Sequence, residues 1–386
     1  MASAAIFRGK AFAHLCGQPI TNKSSFKRYL TACHSLPQLA TKASMQLGIQ
    51  EVGRAQPPHL PRSGHAAAKL PEWHTHDVIV LGGYTEKADS GQMQRQECME
   101  GWVFSSQGEG SWHPLAFAPG PLPAPRLVSQ AVVVDDNLYL IGGWNPGGSA
   151  PFLNDIWQLD LKTNRWTELQ PEGEPLPAIS RHQAVAVGQS IYIHHHRSAQ
   201  DISVLDVSNP AHPKLHKVPV KGDVPSSRGL HSLTAVAPGP GTLPTKLFLF
   251  GGAPQRGPMM SDLYALDLPT MEWSKLSPSG SQPHARCAHG AAAAPLGRHL
   301  LVFGGAFYKD EVAGGGGLQV LDDAICYDTI DNKWEHVAHA SGPPVPARNA
   351  HTLVPIAKDE NKWLLHGGWV PFISTFNDTY MVELKM

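Results

Sequence analysis

Two stretches, Leu138-Tyr139-Leu140-Ile141-Gly142-Gly143 and, a few residues later, Asp155-Ile156-Trp157-Gln158-Leu159-Asp160, decide how this chain is read. The first is an apolar run ending in a glycine pair. The second alternates apolar and polar residues between two acids, the pattern of a half-buried strand. Upstream, Arg126 opens another apolar stretch, and downstream Trp166 lies six residues past the second acid. The same grammar recurs. Glycine pairs close apolar runs at Gly82-Gly83, Gly251-Gly252, Gly304-Gly305 and Gly367-Gly368, and arginines mark unit starts at Arg62, Arg126, Arg181, Arg228, Arg286 and Arg348. Acid-bounded stretches run from Asp262 to Asp267, Asp323 to Asp328 and Asp378 to Glu383, and spaced tryptophans follow at Trp273 and Trp334, with Trp112 in the first unit. Each unit therefore reads as four short strands separated by Gly, Pro and Asn turns, and about 50 residues with four strands is the size of a propeller blade.

The glycine pairs, the Arg-x-x-His marks at Arg62/His65, Arg228/His231, Arg286/His289 and Arg348/His351, and the spaced tryptophans resemble the kelch repeat family. The resemblance covers roughly residues 46–386 and implies an all-β, six-bladed kelch-type β-propeller. The blades start near residues 62, 126, 181, 228, 286 and 348. The third strand of the sixth unit is the last that the sequence supplies, so the segment Gln46–Val52 is expected to add the missing fourth strand and close the ring, with Gly48 at the position of the tryptophan.

Composition agrees with this reading. There are 37 glycines and 34 prolines in 386 residues, too many for extended helix, and 42% hydrophobic residues are ample for a core. A formal charge of −1 offers no basic excess for nucleic acid, and no apolar run is long enough for a transmembrane helix. Charge is distributed unevenly, because residues 1–50 contain no acid, six basic residues and eight Ser or Thr. Residues 1–45 thus read as an organelle transit peptide or a disordered leader, with plastid preferred to mitochondrion because arginine is sparse.

Marks that recur in every unit are structural, so function belongs where the units differ. A histidine lies three residues after four of the marker arginines, on four different blades, which points to architecture. The position after the glycine pair is aromatic at Tyr84, Trp144 and Trp369, with Phe307 one residue further in the fifth unit. In kelch-like propellers this loop face commonly binds partners, so these aromatics, with Arg62, Arg126 and Arg348, are the expected ligand- or partner-binding residues. The third unit is degenerate: His194-His195-His196 replaces its glycine pair. His194, His196 and His366 are weak candidates for metal ligands, since three consecutive strand residues cannot face one ion. The copper-site, iron-motif, nucleophile-elbow and dinucleotide signatures of enzymes are not found, and no cofactor is indicated. The expected function is a binding module for a protein or small-molecule ligand at the loop face. The alternative is a small-molecule lyase or isomerase, possibly metal-assisted, with its active site in the propeller mouth.

Overall fold

The computed structural model describes residues 45–53, 61–89, 92–238, 242–294, 297–308, 318–356, 362–371 and 373–385. The expected leader lies outside them except for Met45. The chain divides into Met1–Ser44 and Met45–Met386. Every regular element among the described residues is a β-strand, and none is a helix able to cross a membrane.

Among the described residues six blade sheets follow one another along the chain, each with four antiparallel strands; four of them add a short outer strand that pairs parallel, and in the last the fourth antiparallel strand comes from the N-terminal side. Blade 2 is typical: Gln130–Val134, Asn137–Trp144, Phe152–Asp160 and Arg165–Leu169 run from the innermost strand to the outermost. The innermost strands of the other blades are Ala66–Lys69, Gln183–Val187, Ser232–Val236, Gly290–Ala293 and Thr352–Pro355. Each neighbours the next, and Thr352–Pro355 returns to Ala66–Lys69, so the inner wall is a closed cycle. Closure removes the open sheet edges that an isolated blade would present.

Blade 6 closes as the sequence anticipates. Gln46–Glu51 pairs antiparallel with Thr379–Lys385, from Gln46 opposite Lys385 to Glu51 opposite Tyr380. The expectation about Gly48 is corrected by this register. In blades 1, 2, 4 and 5 the outer tryptophan lies opposite the fourth residue after the acid that marks the third strand: Trp112 opposite Phe104, Trp166 opposite Leu159, Trp273 opposite Leu266 and Trp334 opposite Tyr327. In blade 6 that residue is Val382, and its partner is Ile49. Ile49, not Gly48, stands in the tryptophan's place.

Six hydrophobic clusters each bridge two successive blades, so the core is a ring of wedges between sheets. Trp112, Trp166, Trp273 and Trp334 anchor four of them and are almost fully buried. At the remaining two, Leu215 substitutes between blades 2 and 3, and Leu47 and Ile49 are joined by Trp363 between blades 5 and 6. The Trp363 indole N–H reaches across to the Ala293 carbonyl at 3.2 Å.

Removing residues 46–53 should strip the edge from Thr379–Lys385 and delete Leu47 and Ile49, two buried side chains worth about 2 kcal/mol each. A protein lacking residues 46–53 should melt well below one lacking only residues 1–40, measured by calorimetry. Equal midpoints would show that the strand does not hold the ring closed.

Candidate functional site

The marker arginines organise the face of interest, and blade 5 shows how. The Arg286 guanidinium donates to both carboxylate oxygens of Asp323 at 2.7 and 2.8 Å, to the Gly304 carbonyl at 2.9 Å and to the His284 carbonyl at 3.1 Å. Asp323 lies within the third strand, Leu318–Asp328, and Gly304 at a bulge within the second, His299–Tyr308, so a single side chain ties three segments of the blade together. The glycine pair then meets the next blade. The Gly305 N–H donates to the Arg348 carbonyl at 2.9 Å. A Cβ on Gly304 would lie 2.8 Å from that same carbonyl oxygen, and both glycines have positive φ, so a side chain there is excluded twice.

Arg126–Asp155, Arg228–Asp262 and Arg348–Asp378 repeat the arrangement, and Arg62 faces Glu100 at 3.7 Å. This corrects the expectation that Arg62, Arg126 and Arg348 add cations to the rim. All three are fully buried, and their guanidinium groups close their own blades. A planar fork that can bond a carboxylate and a carbonyl together is what this junction requires.

Two residues past each marker the backbone turns left-handed, at Gly64, Val128, Arg181, Leu230, Ala288 and Ala350. These six residues form a cycle of hydrogen bonds. The N–H of Val128 donates to the Gly64 carbonyl at 2.7 Å, Arg181 to Val128 at 3.2 Å, Leu230 to Arg181 at 2.9 Å, Ala288 to Leu230 at 2.8 Å, Ala350 to Ala288 at 2.9 Å, and Gly64 to Ala350 at 2.8 Å. The ring narrows one end of the central channel to a space of about 90 Å³. Behind it the channel widens to about 700 Å³ between the inner strands, where Ala67, Ala131, Ala235 and Ala291 contribute little bulk.

The cycle also corrects the marker position of blade 3. Arg181 occupies the left-handed ring position, and the marker place two residues earlier belongs to Ile179. Ile179 keeps the backbone duty, because its carbonyl accepts the Gly143 N–H at 2.9 Å, while its side chain packs into the core between blades 2 and 3. Arg181 is exposed at the mouth, and no acid pairs with it among the described residues. The sequence carried a signal for this: counting back three residues from His182 gives Ile179.

The histidines after the ring lie between blades, as expected of architecture. His289 bonds the Ser232 hydroxyl at 2.9 Å, His65 the Thr352 hydroxyl at 3.0 Å, and His231 meets His194 at 3.0 Å. Burial pushes His182 and His351 down to about 3, helped by the charges of His195 and Arg348 respectively, and His231 and His289 well below the usual imidazole range. His194 also falls to about 3, through burial first and then His195 and Arg228. The three candidate metal ligands are not brought together. His194 is engaged with His231, His196 accepts from Arg197 Nε at 3.1 Å, and His366 contacts the Thr379 hydroxyl at 3.0 Å on the opposite blade. Among the described residues, no group of three His, Cys, Asp or Glu side chains is placed to hold a metal ion.

The four aromatics sit just outside the ring, each at the position where the backbone after the glycine pair returns to its own marker segment. Trp144 exchanges two backbone hydrogen bonds with Leu127, Trp369 exchanges two with Asn349, and Tyr84 lies opposite Ser63. Phe307 follows the equivalent bridge between Cys287 and Ala306 and packs its ring on His284, with centroids 4.1 Å apart. All four are half-buried. Phe152, Tyr308 and Ile373, in the segments that follow the glycine pairs, are exposed. An apolar rim therefore runs over blades 5, 6, 1 and 2.

The buried histidines set an acid limit on the fold. Their folded values lie below the value of about 6.5 for a free imidazole, so the unfolded chain binds protons that the folded chain refuses. Stability is complete above about pH 6.5 and is lost as pH falls toward about 3, at up to about 1.4 kcal/mol per pH unit for each of His182, His194 and His351. Urea midpoints should drop between pH 7 and 5, a window above the carboxylates, and His351→Gln should flatten the drop. A pH-independent midpoint in that window would contradict the inter-blade placement.

Comparison with known proteins agrees with the geometry. The KLHDC2/KLHL20/DRC7 Kelch-repeats domain model matches residues 43–242 and 195–386. Acyl-CoA-binding domain-containing protein 4 of Arabidopsis thaliana is 29% identical over 261 residues, which cover 64% of this chain and 36% of that protein. The chain thus spans about a third of the length of that relative. Kelch domain-containing protein 2 of Bos taurus is 27% identical over 340 residues, covering 80% of this chain and 75% of its own. The solved structure of YjhT superposes with a TM-score of 0.61 at 15% identity, covering 85% of this chain and 98% of its own, and shows a shared fold. From the Arg–acid–Gly-Gly junctions, the closed inner wall and the family match over Met45–Met386, the chain belongs to the Kelch-repeat family of β-propellers.

Proposed function

We propose that the propeller is a protein-binding module that engages its partner with the face carrying the hydrogen-bond ring, and that residues 1–45 direct it into an organelle, the plastid in preference to the mitochondrion. The observation that carries the binding reading is the contrast among the tryptophans. Trp112, Trp166, Trp273 and Trp334 are almost fully enclosed between blades, while Trp144 and Trp369 are held half-buried at the mouth by short backbone bridges. A half-buried aromatic on a rigid bridge offers large contact area at little entropic cost, the usual character of an interface anchor. The family assignment supports an interaction role, and the exposed Phe152 and Tyr308 extend the same apolar rim.

Trp273→Ala should cost about 3–5 kcal/mol of stability, since a fully buried ring leaves a cavity. Trp369→Ala should cost much less and yet weaken capture of a co-purifying partner by about 2 kcal/mol or more. Unfolding midpoints and a quantitative binding assay with that partner separate the two. If Trp369→Ala destabilises as much as Trp273→Ala, the rim is core packing and the reading falls.

Fusing residues 1–45 to a fluorescent protein should send it to plastids. The acid-free, hydroxyl-rich composition of that segment supports this reading. A diffuse cytosolic signal would remove the targeting claim and leave the binding claim standing.

A further inference from the structure

The mouth is electrostatically lopsided, and its cationic side arises where blade 3 has drifted from the repeat. Arg181 projects there without an acid partner. A Cβ on Gly229 would lie 3.1 Å from the Arg181 Cβ and 3.8 Å from its Cδ, so the arginine stem runs beside blade 4. Gly229 is joined to Ala253 by backbone hydrogen bonds of 2.9 and 2.8 Å, and Ala253 opens the loop that carries Arg256. On the blade 3 side, the His195 N–H donates to the Ser198 hydroxyl at 3.1 Å, and Arg197 lies within that turn. Arg181, Arg197 and Arg256 are all exposed, and the loops 196–200 and 253–261 contain no Asp or Glu.

Three of the neighbouring acids are committed elsewhere. Asp262 pairs with Arg228, Glu174 with Lys217 at 2.6 Å, and Asp223 accepts the Lys275 N–H at 3.2 Å. Asp201 has no marker arginine, because Ile179 stands in that place, and it contributes to Lys217 only a weaker attraction behind the Glu174 ion pair. Across the mouth, on blades 6 and 1, lie Trp369 and Tyr84, while Trp144 on blade 2 adjoins blade 3 and Glu97 accepts the Gly147 N–H at 3.1 Å. One side of the mouth is therefore cationic and the facing side is aromatic.

A single guanidinium fork satisfies a carboxylate. Several forks without counter-ions match a group with more charge and more acceptor oxygens, and a phosphate monoester carries close to two charges on three oxygens. Resting on the reading of this face as a protein-binding surface, we infer that the partner is phosphorylated. Its phosphoserine or phosphothreonine group sits on Arg181, Arg197 and Arg256, and its flanking residues lie on the aromatic rim.

The probe is a fluorescent degenerate peptide pool with a central phosphoserine, compared with the same pool carrying serine, on the full chain and on the triple variant Arg181→Gln/Arg197→Gln/Arg256→Gln. The phosphorylated pool should bind at least ten-fold tighter to the parent protein, and the triple variant should lose that preference with an unchanged melting midpoint. Equal binding of the two pools, or a preference that survives the triple substitution, overturns the inference. So does competition by inorganic phosphate without any preference between the pools, which marks a free-anion site only. Retention of the co-purifying partner separates the two levels: loss with Trp369→Ala but not with the triple variant sinks the phosphate inference alone, whereas retention by Trp369→Ala sinks the underlying reading.

Discussion

The junction between a glycine pair and the next blade's marker residue is the contact on which the rest of the molecule depends. The second glycine donates its N–H to the following marker's carbonyl, at 2.8 to 2.9 Å in five of the six blade-to-blade steps. In four of the blades the marker's guanidinium meanwhile donates to its own blade's acid and glycine carbonyl. One residue thus couples closure within a blade to spacing between blades. Because buried polar groups must be paired, the acid, the arginine and the two glycines have to be kept or exchanged together.

Blade 3 shows such a joint exchange. With Ile179 in the marker place there is no guanidinium to bind a glycine carbonyl, and His195 and His196 occupy the glycine positions. The His195 N–H turns to Ser198, and the contact to blade 4 passes instead through the His194–His231 pair, whose rings meet edge to face at 4.8 Å. The fold absorbs this because the six-membered backbone cycle passes through Arg181 without interruption, and Leu215 fills the wedge that lacks a tryptophan.

The same drift gives the mouth its character. A repeat that kept its arginine in the marker place would bury it, as five blades do. Moving the arginine two residues along puts it on the ring, where the backbone is left-handed and the side chain points to solvent. The aromatic positions behave similarly: the backbone bridge to the marker segment recurs in five blades, with Ala253 or Ala306 at some and Tyr84, Trp144 or Trp369 at others. Architecture sets the position, and the freedom left to the side chain is where binding chemistry enters.

What the sequence by itself determined is the periodic part. Alternation of apolar residues, glycine pairs and spaced tryptophans specify four-stranded blades through local physics, and the strand Gln46–Glu51 was legible because the sixth unit lacked an outer strand. Only the tertiary structure decided which side chains are spent within the fold. Arg62, Arg126 and Arg348 look like available cations in one dimension, and their burial follows from acids about thirty residues away and from carbonyls in neighbouring strands. The assignment of Ile49 rather than Gly48 to the tryptophan's place is likewise a matter of register, since a slip of one residue turns a strand's side chain to the opposite face. Arg181 carries the same residue type as its neighbours in the pattern, and a displacement of two residues, visible only against the backbone ring, separates a structural arginine from an exposed one.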